Sequence, residues 1–215
     1  MQRYETLTFM SGPRKFRALY SDIGGVLGTN GWDSGVRARL CSRFEIDPTE
    51  IDGRHRLMFD TYERGFITFK EYLRRVFFAV ERPFTVEDVA AFAYDQSQPW
   101  PDNIAFLKQI SKQNNLKLAL ISNEGEGITQ HRIQKFGLRE LADFMVISHC
   151  VHLRKPDPAI WHLALDLAGL HAQDSIYIDD RPLFADVAIG LGFASIHHTS
   201  LENTREKLSS FGLEC

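Results

Sequence analysis

Apolar residues gather into five short runs along the chain: 16–21 (FRALYS), 116–121 (LKLALI), 143–147 (DFMVI), 175–178 (SIYI) and 193–196 (FASI). Each has the length of a buried strand, and helix-length segments separate the later ones. Strands joined by helical crossovers pair in parallel, and a parallel sheet is buried on both faces. The pattern therefore predicts an α/β fold, a Rossmann-like, doubly wound parallel sheet covered by helices on both sides. Two of those helices can be argued in detail. Over 157–169 (DPAIWHLALDLAG), Asp157 can cap, Pro158 suits the first turn, Ile160, Leu163, Ala164 and Leu167 recur at helical spacing, and Gly169 supplies the stop. Residues 101–113 repeat the pattern through Ile104, Leu107 and Ile110.

Between the first two strands the period changes. Residues 31–98 hold four helical stretches (SGVRARLCSRF, PTEIDGRHRLMFDTYERG, TFKEYLRRVFFAV and TVEDVAAFAYD) and no convincing buried strand. This predicts a small helical domain inserted into an α/β core made of 14–30 and 99–215. Gly28, Gly31 and Gly35 on one side and Gln98-Pro99-Trp100-Pro101 on the other are candidate hinges. Residues 1–13 read as a tail or an added edge.

Composition narrows the class. The 215 residues hold 25 Lys and Arg against 28 Asp and Glu, a net charge of −3, without a long basic block, which gives no footprint for nucleic acid. Cys41, Cys150 and Cys215 are too few and too scattered for a disulfide framework and suit a reducing compartment. The absence of a signal-peptide core or an apolar run of about 18–20 residues leads to the expectation of a cytoplasmic protein without a membrane partner. Oligomeric state is left open.

Ligands of open parallel sheets bind beyond the carboxyl ends of the strands, so the polar residues that follow each apolar run carry the candidate chemistry. They are Ser21-Asp22-Ile23-Gly24-Gly25 after the first strand, Ser122-Asn123-Glu124-Gly125 after the second and Asp179-Asp180 after the fourth, with Arg154-Lys155-Pro156 ahead of a helix. Taken singly, an acid at a strand end is a helix cap or a turn residue, and a lone lysine is a surface group. Taken together, Asp22, Asp179 and Asp180 could bind a hard cation such as Mg²⁺, which prefers oxygen ligands. Lys155, the Ser122 hydroxyl and the backbone N–H groups after Asp22, at Ile23 and Gly24, could bind phosphate oxygens. Carboxylates can accept a phosphoryl group, which makes Asp22 a candidate nucleophile.

The segments SDIGGVLGTN, ALISNEG, RKPDPAIW and YIDDRPLFADVAIGLGF resemble, in order and spacing, the four motifs of the haloacid dehalogenase-like hydrolase superfamily, over roughly residues 17–200. The branch most similar holds small sugar-phosphate phosphatases and the amino-terminal phosphatase domain of soluble epoxide hydrolases. The resemblance implies an HAD-like core with a helical cap and a Mg²⁺-dependent phosphatase of a small phosphorylated metabolite. Asp22 would be the nucleophile, Ser122 and Lys155 would be catalytic, and Ile23, Gly24, Ser122, Asn123 and Lys155 would surround the phosphate. Mg²⁺ would be held by Asp22, the Gly24 carbonyl and Asp180, with Asp179 a direct or water-mediated ligand.

Two positions depart from the family pattern. Most phosphatases of the superfamily carry a second Asp, the acid–base group, two residues after the nucleophile, where this chain has Gly24. Relatives often place an Asn where Phe184 stands. These departures motivate an alternative, a catalytically weak member that binds a phosphorylated ligand or a partner. Carbon–halogen hydrolysis is a further alternative that the Asp179-Asp180 pair argues against. His149 is a candidate substitute for the missing acid–base group. Trp32, Arg54, His55, Arg56 and Arg64 are candidates to face the substrate, whereas the aromatics Phe59, Tyr62, Phe66, Phe69, Tyr72, Phe77, Phe78, Phe84, Phe92 and Tyr94 are expected mostly in the cap's own core. His152, His197 and His198 have no zinc-site partner set.

Overall fold

The computed structural model describes residues 16–215; the amino-terminal stretch 1–13 lies outside the described residues. Five parallel strands, β1 (Ala18–Ser21), β2 (Lys117–Ser122), β3 (Phe144–Ile147), β4 (Ser175–Asp179) and β5 (Ala194–His197), form one sheet in the order β3-β2-β1-β4-β5. Each starts within two residues of its apolar run. Strand β1 is central, with Tyr20 opposite both Ala119 and Tyr177. Its residues alternate between two cores. Leu19 joins Leu118, Leu120, Ile176 and Ile178 on one face, and Ala18 and Tyr20 join Ala119, Ile121, Trp161 and Tyr177 on the other. The pleat sends neighbours to opposite faces, so a strand apolar at every position is what burial on both sides requires.

Four helices, α1 (Ser34–Arg43), α2 (Pro48–Glu63), α3 (Phe69–Phe77) and α4 (Val86–Asp95), follow β1. Side chains close their amino termini: Asp33 accepts from the Val36 N–H, Asp47 from Thr49, and Thr85 forms a capping box with Asp88. These helices share an apolar cluster of their own, in which Trp32, Tyr62, Phe69, Tyr72 and Phe77 are buried. Of the ten aromatics expected there, Phe66 alone stands 57% exposed, stacked on His152. The chain segments entering and leaving this unit run side by side: the Thr29 N–H donates to Gln98 O at 2.9 Å and the Trp100 N–H to Leu27 O at 2.8 Å.

The remaining helices are α5 (Pro101–Gln113), α6 (Glu126–Lys135), α7 (Leu138–Leu141), α8 (Ser148–Val151), α9 (Ala159–Ala168), α10 (Pro182–Gly190) and α11 (Leu201–Ser210). Helix α9 begins later than the sequence pattern suggests, with Pro158 at the cap, although Asp157 still accepts from the Ala159 N–H at 2.9 Å. Gly169 ends it in the left-handed conformation. No helix among the described residues is long and apolar enough to cross a membrane. Cys41, Cys150 and Cys215 are all free thiols. The strand order reverses beside β1, between β2 and β4, where open α/β sheets form a crevice at their carboxyl edge.

Candidate active site

That crevice gathers the sequence-predicted residues. Asp22 follows β1 directly, its N–H bound to Ile178 O of β4 at 2.9 Å, so its carboxylate is fixed over the sheet edge. Its Oδ1 accepts from the Ile23 N–H at 2.8 Å and from Ser122 Oγ at 2.6 Å, and its Oδ2 lies 3.2 Å from Lys155 Nζ. Lys155 is wholly buried, and its three ammonium protons have three partners: Asp22, Asp179 Oδ2 at 2.7 Å and the Tyr177 hydroxyl at 3.1 Å. Burial alone pulls its ammonium down, but Asp179 and Asp22 outweigh that and leave it raised, firmly charged. Burial raises the Asp22 carboxyl against the pull of Lys155.

Asn123 serves a structural end here. Its side chain donates to Lys155 O and accepts from the Lys155 N–H, both at 2.8 Å, locking the lysine's backbone to the end of β2. Phe184, at the position where relatives often carry Asn, lies with its ring centroid 5.0 Å from Lys155 Nζ, so a cation–π contact stands where a hydrogen bond was missed.

Oxygens of Asp22, Asp179 and Asp180 lie within 4.8 Å of one another. Asp179 is saturated, accepting from Lys155 and Tyr177 on Oδ2 and from the Arg181 N–H at 2.9 Å on Oδ1. Asp180 differs: Oδ2 accepts weakly from Asn30 at 3.3 Å, whereas Oδ1 is buried with no partner among the described residues. Burial and the nearby Asp22 raise its carboxyl. A buried oxygen left unpaired beside two further carboxylates is what a cation would complete. Gly25 allows the close approach, since it sits at φ 69° and a Cβ there would collide with the Asp180 carboxylate.

Gly24 is a different case. Its backbone does not require glycine, but a Cβ would sit 2.7 Å from Asn30 Oδ1 and 3.5 Å from Arg132 Nη1. Arg132, on α6, is fully buried and paired with Glu124 and Thr29 O. The space beside Gly24 is therefore occupied by the tip of the Asn30 side chain, with Arg132 at ordinary contact distance behind it.

A cavity of about 330 Å³ opens above Asp22, Gly24 and Ser122, between the core and α1–α2. Trp32 and His55 line it, as the sequence suggested. Trp32 Nε1 donates to the Tyr72 hydroxyl at 3.0 Å, and the same hydroxyl lies within hydrogen-bond distance of His55 Nδ1, at 2.7 Å. Burial lowers the imidazole to about 4. Arg54 and Arg56 are exposed, and Arg64, partly buried, reaches His152 O instead; the three lie outside the cavity lining. His149 also lies outside it, with Nδ1 3.0 Å from Glu124 O, which removes it as a substitute for the missing acid. His197 and His198 bind backbone and Thr204.

A model of the haloacid dehalogenase-like hydrolase family matches residues 41–194. The chain belongs to that family of hydrolases. Among similar curated proteins, pyrimidine 5'-nucleotidase YjjG of Escherichia coli (strain K12) is 35% identical over 71 residues, 33% of this chain and 31% of that protein. Phosphoserine phosphatase of Thermus thermophilus is 25% identical over 186 residues, 77% of this chain and 74% of it. The match thus spans about a third of the first relative's length. Among solved structures, the HAD family enzyme bt-2542 of Bacteroides thetaiotaomicron superposes with a TM-score of 0.78 at 18% identity, over 90% of this chain and 98% of that one. The L-2-haloacid dehalogenase PA0810 gives 0.59 at 19% identity, over 84% and 82%. At such identities the likeness is one of fold.

Sequence reasoning missed several lining residues of this hydrolase, Arg37 and Glu63 from the helical unit and Arg132 and Arg181 from the core, and it placed Glu124 and Arg154 in the candidate segments without a role. Arg154 and Arg181 flank motif residues and could have been suspected from position. Glu63, at the end of an amphipathic helix, carries no signal that separates it from solvated neighbours.

Proposed function

We propose that this hydrolase is a Mg²⁺-dependent phosphatase of a small phosphorylated metabolite, acting through an aspartyl-phosphate on Asp22. The observation that carries the reading is the buried assembly of Asp22, Lys155, Asp179 and Asp180, with Asp180 Oδ1 unpartnered. Displacement at carbon would need no such carboxylate cluster, which favours phosphorus over a carbon–halogen bond. Relatives named as nucleotidase and phosphatase support the same class, as do magnesium complexes of the structural neighbour.

Asp22, Asp180 and the Gly24 carbonyl would hold the cation, which when bound shields phosphate charge from the carboxylates. Asp179 instead fixes Lys155. The chain's own groups then act in order. Lys155 neutralises Asp22 and the incoming phosphate, Ser122 Oγ turns from Asp22 to a phosphate oxygen, and the backbone N–H groups of the turn after Asp22 bind the others. Helices α1–α4 serve as a cap over residues 14–30 and 99–215, and close the site from water. The cavity's size suits a small ester, and Arg37, Arg154 and Arg181 on its wall favour an anionic one.

A second reading, a weak enzyme that binds a phosphorylated ligand, rests on Gly24. Turnover of p-nitrophenyl phosphate by the purified protein separates the two. We expect activity that needs Mg²⁺, disappears in excess EDTA and is abolished by Asp22→Asn with the fold intact. Equal turnover by Asp22→Asn would refute the mechanism, and hydrolysis of a 2-haloacid in EDTA would reverse the choice of chemistry.

A further inference from the structure

The phosphatase reading leaves a proton unassigned. The leaving alkoxide needs one, and the position that usually supplies it is Gly24, which has no side chain and has the Asn30 side-chain oxygen beside it. In an in-line displacement, the leaving oxygen sits on the side of phosphorus opposite Asp22, away from the sheet and toward α1–α2. An acid on the cap side of the cavity would therefore face it.

Glu63, the last residue of α2, is on that side. It lines the cavity with Asp22 and is only 7% exposed. Its backbone is anchored to the core: Ser148 Oγ donates to Glu63 O at 2.7 Å, and beside it Arg64 Nε donates to His152 O at 3.1 Å. Its Oε2 forms an ion pair with Arg154 Nη2 at 2.5 Å, and Arg154 also donates to Asp60 Oδ1 at 3.0 Å, so the carboxyl is held at the cavity wall, although Oε2 has no aligned hydrogen bond among the described residues. Glu124 is the rival acid in the same cavity. It is clamped through Oε1 by fully buried Arg132 and lies on the sheet side, directly after Ser122-Asn123.

We infer that Glu63 is the general acid and base of the reaction, supplied by the cap in place of the missing second Asp. This rests on the phosphatase reading above. As an Asp22 oxygen bonds to phosphorus and the ester P–O bond breaks, the Glu63 carboxyl gives its proton to the leaving oxygen, releasing the alcohol. The Glu63 carboxylate then takes a proton from a water that attacks phosphorus. The Asp22–phosphorus bond breaks, inorganic phosphate leaves, and Asp22 and protonated Glu63 are restored.

The electrostatics agree. Burial raises the Glu63 carboxyl to about 7, against the downward pull of Arg154, Arg181 and Lys155 and with an upward push from Asp22. Tyr72 of α3 also faces it. Asp60 stands on its own helix and Arg64 follows it, with His149 on α8, which packs against α2, and His152 just after α8. An acid half protonated near neutral pH suits both halves of the cycle.

The test is a series of phenyl phosphates whose leaving phenols span a wide pKa range, read as kcat/KM, which reports steps up to formation of the phosphoenzyme. For the native protein we expect a shallow dependence on phenol pKa and a fall in kcat/KM above about pH 7 as the acid ionises. Glu63→Gln should steepen the dependence, lose roughly 10²–10³-fold on the poorest leaving group and far less on p-nitrophenyl phosphate, and remove the alkaline fall. A purely structural role would lower all esters alike, and that result, or an unchanged slope, overturns the proposal. If Glu63→Gln fails to fold by circular dichroism, the native pH profile decides: kcat/KM flat to pH 9 overturns the role, and a fall above about 7 retained in Glu63→Asp supports it. A native protein that hydrolyses none of the esters refutes the phosphatase reading itself, whereas an active native protein matched by Glu63→Gln refutes only the role of Glu63.

Discussion

Lys155 Nζ lies 2.7 Å from Asp179 Oδ2, and neither side chain reaches solvent. With Asp22 at 3.2 Å, one ammonium balances two carboxylates below the cavity floor. Charges buried this deeply are tolerated only because they are paired and hydrogen-bonded, so the pair is a structural commitment in its own right.

Lys155→Met tests that commitment. Methionine fills similar volume but leaves Asp22 and Asp179 without their cation, and breaking a buried pair from one side costs about 3–5 kcal/mol. Urea unfolding in metal-free buffer should register a loss of that order, with part of it restored by Mg²⁺, which would supply positive charge to the same carboxylates. A loss below about 1 kcal/mol would mean that the carboxylates are already protonated in the native state.

Gly24→Asp separates the missing acid from its missing space. A Cβ at residue 24 meets Asn30 Oδ1 at 2.7 Å, with Arg132 next behind it, so the new carboxyl cannot enter without displacing Asn30. Asn30 Oδ1 is the far end of a flexible, partly exposed side chain, so the cost falls at the lower end of the about 1–3 kcal/mol typical of overpacking. Gly24→Asp should lower the melting temperature and bring no gain in phosphatase activity, whereas adding Asn30→Gly should recover stability. Higher activity from the single substitution would show that Asn30 yields freely and that the position is merely vacant.

Much of this was legible in the sequence, for a definable reason. Five strands buried on both faces write themselves as continuous apolar runs, and the residue after each run falls on one sheet edge, so Asp22, Ser122 and Asp179-Asp180 could be gathered before any coordinates. The contents of the cavity wall could not. Arg132 sits in a helix pattern, where a charge reads as a solvated face, and its pairing inside the core with Glu124, eight residues earlier, leaves no periodic signal. His149 looked close to the site because it precedes Lys155 in sequence, but α8 turns it toward Glu124 O and away from the cavity. Glu63 was invisible because its burial depends on how α2 docks against the core, which periodicity does not encode.

Two titrating groups of the cavity should tilt stability with pH in opposite directions. The Glu63 carboxyl is raised from 4.5 to about 7, so the native state binds the extra proton; this contribution is complete below pH 4.5 and is lost as pH rises toward 7. His55 is lowered from 6.5 to about 4, chiefly by burial, so the native state refuses a proton that the unfolded chain takes; its contribution is complete above pH 6.5 and is lost as pH falls toward 4. Each is worth up to about 3 kcal/mol, and between pH 4.5 and 6.5 they offset one another. In metal-free buffer, Glu63→Gln should leave the histidine's slope uncovered, with stability rising across that window. His55→Gln, whose amide can still hydrogen-bond to Tyr72, should leave the glutamate's slope, with stability falling across it. Urea midpoints at four or five pH values decide the matter: parallel curves for the two variants would mean that these groups do not titrate as their burial requires.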